Sequence, residues 1–591
     1  MPHRTVPTRA NQRIIMAVRF LLTGALLLLP FAALAEAPAQ PAAGKPALTA
    51  TTQMVSAANP YATDAGLGIL RRGGSAVDAA ITVELVLTLV EPQSSGIGGG
   101  AFLLFYDAQG KQLLAYDGRE TAPAAVDEKL FLDADGKPRA KTDAMPGGQS
   151  AGVPGVIRML AMAHKAHGKL PWADLFQPAI RLARDGFVVS PRLTYLISTD
   201  KHLKKFPASA AYFFTGTGEA LPPGTLLKNP ALADTLEQLA RDPDAFYRGP
   251  IAADMAAAVR NAPVNPGTLT EADIAGYQPK LRDVVCVPFR VWKVCGMPPP
   301  SSGGIAVGQT LAILEGLNIA GARPNSAQAV NLFSEAARLA YADRATWLGD
   351  SDFVSVPVAG LIDPAYIAQR RALITPGAVM PDAPAGMPAG APVAYRTVEP
   401  SEVPATTHFS IVDRWGGTVA MTASVEDAFG DRMMVRGFML NNELTDFSFA
   451  PDDNGRPVAN RVQGGKRPLS SMSPTIVFDA QDRPVATLGS PGGPLIIGFV
   501  AKTLVGVLEW KLSMQEAIAL PNLVYFGGKL IMERDSALWA QKEALAAMGY
   551  TLQEGALASG LHGILIHYGA DGTRTLEGGA DPRREGTVAG D

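Results

Sequence analysis

The sequence predicts an α+β protein in which a helix-rich part is followed by a strand-rich one. Two observations carry this. From Trp172 to about Ala258 the apolar spacing is mostly helical, and helical patterns return over 305–314 and 327–348. Beyond a Pro/Ala/Gly-rich stretch at 381–404, short strand-like runs take over at 407–413, 419–425, 438–441, 475–478 and 485–488. Of the 591 residues, 47% are apolar and 18% are charged, which suits a globular chain with a large core. A net charge of −3 offers no basic field for nucleic acid and no polybasic membrane patch.

The first element is a targeting segment. Arg4, Arg9, Arg13 and Arg19 precede an apolar run at 20–34, broken only by Thr23, Gly24 and Pro30. Ala33-Leu34-Ala35 then offers a small-x-small cleavage site. That order is the order of a secretory signal, so residues 1–35 are expected to be removed and the mature chain to be periplasmic or secreted. The run is short for a bilayer span, and no other stretch reaches ~18 uninterrupted apolar residues, so no stable membrane anchor is expected.

Asn59-Pro60 opens a helical pattern that Gly73-Gly74 stops, and Ser75 can cap the next helix, 76–89. Ser94–Asp107 then reads SSGIGGGAFLLFYD. Its glycines follow a helix and open a strand, the reverse of a phosphate-binding turn, which argues against a nucleotide site. A second strand, 112–116, completes a hairpin and leads into DGRETAP. Arg119 therefore sits at a strand end, where its planar fork could grip a carboxylate or simply face water.

Two motif matches are expected to be coincidental. GQSAG at 148–152 resembles a nucleophile elbow but lacks the strand before and the helix directly after it, and Ser198–Lys201 has none of the companion motifs of Ser-x-x-Lys enzymes. His164 and His167 lie three apart on a predicted helix, where Lys165 suggests a solvated face. With no HExxH and no CxxC, no metal site is expected. Cys286 and Cys295 lie in two short β-rich runs; in an oxidising compartment they can form a disulfide, the alternative being two buried thiols. The C-terminal region shows a helix at 536–548, a last strand near 563–568, and a tail that looks frayed from Gly578.

The most informative stretch is PATTHFSIVD, 404–413, directly after the Pro/Ala/Gly-rich lead-in. Threonine favours strands on propensity alone. Yet a hydroxyl at a strand start, after a segment that can be cut, also suits an enzyme that breaks its own backbone at Ala405–Thr406. The freed threonine would carry a hydroxyl nucleophile and an α-amino base on one residue.

Several stretches together resemble the γ-glutamyltranspeptidases, members of the N-terminal nucleophile hydrolases. They are GGSAVDAA, GIGGGAF, DGRETAP, LPWADLFQPAIRLARDGF, MPPPSSGG and LAYADR, then TTHFSIVDRWG, LNNELTDFS, KRPLSSMSPTIV and GSPGG, in family order across nearly the whole mature chain. The resemblance implies a four-layer αββα sandwich without a cofactor. It also implies a precursor that cuts itself into a large subunit, 36–405, and a small subunit, 406–591, which stay together as a heterodimer. Carried over residue by residue, Thr406 is the nucleophile, Ser424 replaces a second threonine that bonds it, and Gly492 and Gly493 form the oxyanion hole. Arg119, Ser470 and Ser471 would hold the donor's α-carboxylate, and Glu443 and Asp446 its α-ammonium.

Two departures stand out. Glu426 occupies a position that the family commonly fills with asparagine, which would gather three carboxylates around one ammonium. The segment 449–465 is shorter than the usual lid loop, which predicts an open mouth. Three readings follow. The first is a γ-glutamyl amidohydrolase/transferase acting on glutathione and related donors, with water, amino acids or peptides as acceptors. The second is a cephalosporin (glutaryl) acylase on the same fold, which Glu443 and Asp446 oppose because a glutaryl donor would leave both unpaired. The third is a non-catalytic exported binding protein.

Overall fold

The computed structural model describes residues 47–392, 395 and 405–591; the export segment 1–35 and most of the stretch before Ala405 lie outside the described residues. Two seven-stranded antiparallel sheets stack face to face. In the first, Thr407–Val412 lies between Met54–Ala57 and Thr418–Ser424, followed by Gly100–Asp107, Gln112–Gly118 and Lys280–Arg282, with Thr587–Gly590 closing the near edge. The second runs Leu48–Ala50, Arg574–Ala580, His562–Tyr568, Pro484–Gly489, Thr475–Phe478, Trp292–Gly296 and Val285–Phe289.

Strand alternation builds the four layers. In the first sheet Leu103, Phe105, Phe409, Ile411, Val419 and Met421 point outward onto helices Pro60–Arg71 and Ala76–Val90. Phe102, Leu104 and Ala420 point inward, toward Ile476, Ala486 and Leu488 of the second sheet. Helices Gly303–Glu315, Ala327–Trp347 and Ile496–Leu508 cover the other outer face. This is the αββα sandwich. The helix Ala76–Val90 is buried at every position, which explains its all-round apolar sequence.

Local chemistry sets the predicted boundaries. Asn59 accepts from the Tyr61 amide, and Ser75 with Asp78 forms a capping box. Cys286 and Cys295 face each other across the hairpin of Val285–Phe289 and Trp292–Gly296 and are joined as a disulfide.

Two expectations fail. The tail after Gly578 is not frayed: Arg574–Ala580 pairs with His562–Tyr568, and Thr587–Gly590 pairs with Met54–Ala57. Nor do the two histidines form a solvated face. His167 is half-buried against the Phe105 and Tyr116 rings and bonded to the Tyr116 hydroxyl, while His164 bonds the Leu170 carbonyl. One position along a helix is a turn of ~100°, so Lys165 says little about its neighbour's face.

Candidate active site

The register of the first sheet places the predicted nucleophile. Thr407 pairs with Ala423, which sets Thr406 opposite Ser424 just beyond the ladder. Their hydroxyl oxygens are 3.1 Å apart, and the Ser424 oxygen also accepts the Glu426 amide at 2.9 Å. Thr406 is 4% exposed, with φ 83°, a left-handed conformation that a β-branched residue rarely adopts. Its carbonyl accepts from the partly buried Arg584 at 3.1 Å. Burial, assisted by the nearby Arg192 charge, lowers the Arg584 pKa to about 9.

Thr406 opens onto a pocket lined also by Arg119, Ser424, Glu426, Glu443, Asp446, Ser470, Ser471, Met472, Gly493 and Ile496. Nine of the residues singled out from the sequence thus meet in one place. Gly492, the tenth, stands one residue behind that wall in the turn leading to Gly493–Leu495. Gly492 has φ 138° and Gly493 φ 56°, and neither amide donates to a backbone carbonyl among the described residues. A Cβ on Gly492 would lie 2.8 Å from the Phe499 ring, so the turn fits only glycine there. The GIGGG run serves packing: a Cβ on Gly99 would lie 2.0 Å from the Ser424 carbonyl oxygen.

The far end of the cavity is densely charged. Arg119 donates to Glu443 and, at 2.7 Å, to Asp446, and two further N–H groups reach the Pro468 and Leu469 carbonyls. The Glu443–Asp446 turn is held by Asn441, which also ties down Gly98 and Gly152. Ser471 accepts from Arg344 at 2.7 Å, and Arg344 and the Ser470 carbonyl both bond Ser302. LAYADR, PPPSSGG and PLSSM therefore meet under one wall.

This pairing corrects the expectation that a glutaryl donor would leave Glu443 and Asp446 without partners, because Arg119 already engages both. What stays open is one oxygen on each: Glu443 Oε2 and Asp446 Oδ1 are buried without a hydrogen-bond donor. Every predicted side chain in the wall is under a tenth exposed. The short 449–465 segment is fastened down by Phe449 stacking on Phe131 and by Phe447 and Val462 packing with Val126.

Three contributors escaped the sequence reading. Glu120, beside Arg119, is fully buried, and burial pushes it up to about 8 against the pull of the Arg119 charge and a hydrogen bond with Glu443. Lys141 donates to Glu426 at 2.9 Å and lies 3.7 Å from Asp446. Asn442 donates to the other Glu426 oxygen. Burial, opposed by the Lys141 charge, pushes Glu426 up to about 8. Burial also raises Glu443 well above the usual carboxyl range, more than Arg119 pulls it down. A neighbouring acid could be read from DGRETAP; Lys141, in KTDAMPG, carries no such signal. The GQSAG serine is structural, donating to the Met145 and Gly147 carbonyls.

Residues 62–591 match the family model described as gamma-glutamyltranspeptidase. The chain belongs to the γ-glutamyltranspeptidase family. It is 37% identical over 479 residues to the glutathione hydrolase proenzyme of Bacillus subtilis (strain 168), covering 80% of each chain. It is also 34% identical over 547 residues to the acylase ACY 1 proenzyme of Pseudomonas sp. (strain SE83), covering 90% of this chain and 92% of that one. Among solved structures, cephalosporin acylase from Bacillus halodurans superposes with a TM-score of 0.78 at 25% identity, covering 93% of this chain and 97% of that one. Within the described residues of this γ-glutamyltranspeptidase relative, no helix is long and apolar enough to cross a membrane.

Proposed function

We propose that the protein is an exported, self-processing γ-glutamyltransferase/glutathione hydrolase. Thr406 Oγ1 attacks the Ala405 carbonyl, the peptide bond breaks, and water hydrolyses the resulting ester to leave two subunits that remain together as a heterodimer. The strained φ at Thr406 supports this, since such conformations cost ~1–3 kcal/mol and hydrolysis removes the constraint.

In the mature enzyme the new α-amine, with an ordinary pKa of ~7.7–8.0, takes the hydroxyl proton as Oγ1 adds to the γ-carbonyl of the donor. Gly492 and Gly493 offer their amides to the developing oxyanion. The γ-amide C–N bond then breaks, the amine leaves with that proton, and a glutamyl ester remains on Thr406. Water, an amino acid or a peptide amine releases it. Glutathione is the donor the relatives' names suggest, and Arg119, Ser470 and Ser471 would take its α-carboxylate.

One observation carries the reading. The cavity that holds Thr406 also holds a buried cation, Arg119, and two carboxyl oxygens, on Glu443 and Asp446, that lack donors. The ammonium of a γ-glutamyl donor would satisfy the two oxygens, and its carboxylate would lie beside the Arg119 charge. The test is the wild-type protein beside Thr406→Ala. The wild type should run as two bands with a mature N-terminus at Thr406 and hydrolyse γ-glutamyl-p-nitroanilide, whereas the variant should remain one inert band. An intact, active wild-type chain would refute the mechanism.

A further inference from the structure

Arg584, which neither the sequence motifs nor the proposed mechanism uses, touches the main chain of the threonine itself. Its Nη1 donates to the Thr406 carbonyl at 3.1 Å. The chain on either side of it is fastened. Asp581 accepts from Ser559, from the Leu561 amide and from Arg583, and Thr587–Gly590 pairs with Met54–Ala57. The arginine therefore bridges two anchored segments. Its stem runs past Gly560, where a Cβ would lie 2.8 Å from Arg584 Cδ and 2.6 Å from Pro491, the residue before Gly492. Glycine at 560 leaves room for the arginine beside the chain that leads into the glycine turn.

This contact settles where the α-nitrogen of Thr406 sits. The carbonyl is held by Arg584 and by Thr407, which enters the ladder opposite Ala423, and the hydroxyl oxygen is set 3.1 Å from that of Ser424. With carbonyl and side chain both placed, the tetrahedral Cα leaves the nitrogen one position. The carbonyl oxygen and nitrogen of a single residue are roughly 3 Å apart. The guanidinium nitrogen therefore stands within roughly 7 Å of the nitrogen that self-cleavage frees. A cation at that range disfavours the ammonium form of an amine.

The other charges nearby are engaged or neutral. Glu91, after helix Ala76–Val90, takes Arg192 of helix Pro191–Thr199 at 3.0 Å and also Gln93 and Ser94. Glu585 accepts the Arg192 amide. His408 and His562 are pushed down by burial, His562 to about 4, and so are uncharged near neutral pH. On the pocket side Glu443 and Asp446 meet Arg119, and Glu426 meets Lys141. Arg584, lowered to about 9, remains a cation through the acid and neutral range.

We propose that Arg584 is a positioning residue: it fixes the Thr406 carbonyl and biases the α-amine freed by self-cleavage toward the uncharged form that accepts the hydroxyl proton. This role rests on the function proposed above and adds no chemical step to it.

The experiment titrates that amine directly in processed wild type, Arg584→Gln and Arg584→Lys. Cyanate labels only the uncharged amine, and mass spectrometry of the small subunit reads the label on Thr406 as pH is varied. Arg584→Gln keeps an N–H donor and loses the charge, so its midpoint should rise by about 0.5–1 pH unit. The acid limb of kcat/KM for γ-glutamyl-p-nitroanilide should rise with it, and plateau kcat should fall roughly three- to tenfold. Arg584→Lys should hold both midpoints near those of wild type. A midpoint that stays put in Arg584→Gln, whatever happens to kcat, overturns the proposal and leaves the function above standing. So does a midpoint that moves equally in Arg584→Lys. Wild type that neither processes nor turns over removes both. If Arg584→Gln stays unprocessed, the wild-type amine decides: a midpoint below the ordinary ~7.7 supports the role, and one at or above it rejects it.

Discussion

Thr406 Oγ1 and Ser424 Oγ face each other at 3.1 Å across neighbouring strands, and the serine oxygen is itself fixed by the Glu426 amide. The proposed nucleophile thus faces a neighbour whose own position is set by backbone. Ser424→Ala should therefore slow both self-cleavage and turnover. A hydrogen bond of ~0.5–1.5 kcal/mol gives roughly a three- to tenfold fall in kcat with little change in KM. Ser424→Thr should retain activity. Timed gels for processing and steady-state rates for turnover would check this, and an unaffected Ser424→Ala would remove the serine from the mechanism.

Gly492 gives a sharper case. A methyl group there meets the Phe499 ring at 2.8 Å and must adopt φ 138°. Gly492→Ala should displace the turn carrying the Gly493 amide. Loss of one oxyanion donor typically lowers kcat by ~10²–10³, and a fall of that size with KM within a few-fold is expected. A fall in affinity alone would mean that this turn binds substrate and does not stabilise charge.

Most of this site was legible because its residues sit in compact motifs by which the chain resembles a known family. Arg119 ends a strand, Glu443 and Asp446 share one turn, and the Gly492–Gly493 pair needs positive φ. What was not legible depends on packing between distant segments. Lys141 reaches Glu426 across 285 positions of chain. The resemblance implies an ammonium for the Glu443 and Asp446 carboxylates, but their engagement by Arg119 required the fold. The closing strand Thr587–Gly590 was read as frayed because four residues with a glycine carry little strand signal; its partner Met54–Ala57 supplies the pairing.

The acid turn predicts a substrate-dependent effect. Asp446→Asn removes a carboxylate that Arg119 and, by proposal, the donor ammonium both use. Hydrogen bonds to charged groups are worth ~1.5–3 kcal/mol, so kcat/KM for γ-glutamyl anilide should drop by roughly 10- to 150-fold. For glutaryl anilide, which brings no ammonium, the drop should be smaller. Equal drops would show that Asp446 acts only by holding Arg119 in place.

The last prediction concerns stability, at a site remote from the chemistry in sequence terms. Glu84 lies in the wholly buried helix Ala76–Val90, and neither of its carboxyl oxygens has a hydrogen-bond partner. Burial alone pushes it up to about 8. Below pH ~4.3 the group is protonated in both folded and unfolded chains, and no penalty arises. As pH rises toward 8 the unfolded chain releases its proton while the folded one retains it, so stability is lost progressively across that window and no further above it. At ~1.4 kcal/mol per unit the loss is on the order of 5 kcal/mol. Glu84→Gln cannot ionise and should escape it. The melting temperature of the variant relative to wild type should be constant in acid, climb between about pH 5 and 8, and level off beyond. A difference that stays flat over that interval would mean Glu84 finds a partner or water when it ionises, and that the buried acid is not a stability liability.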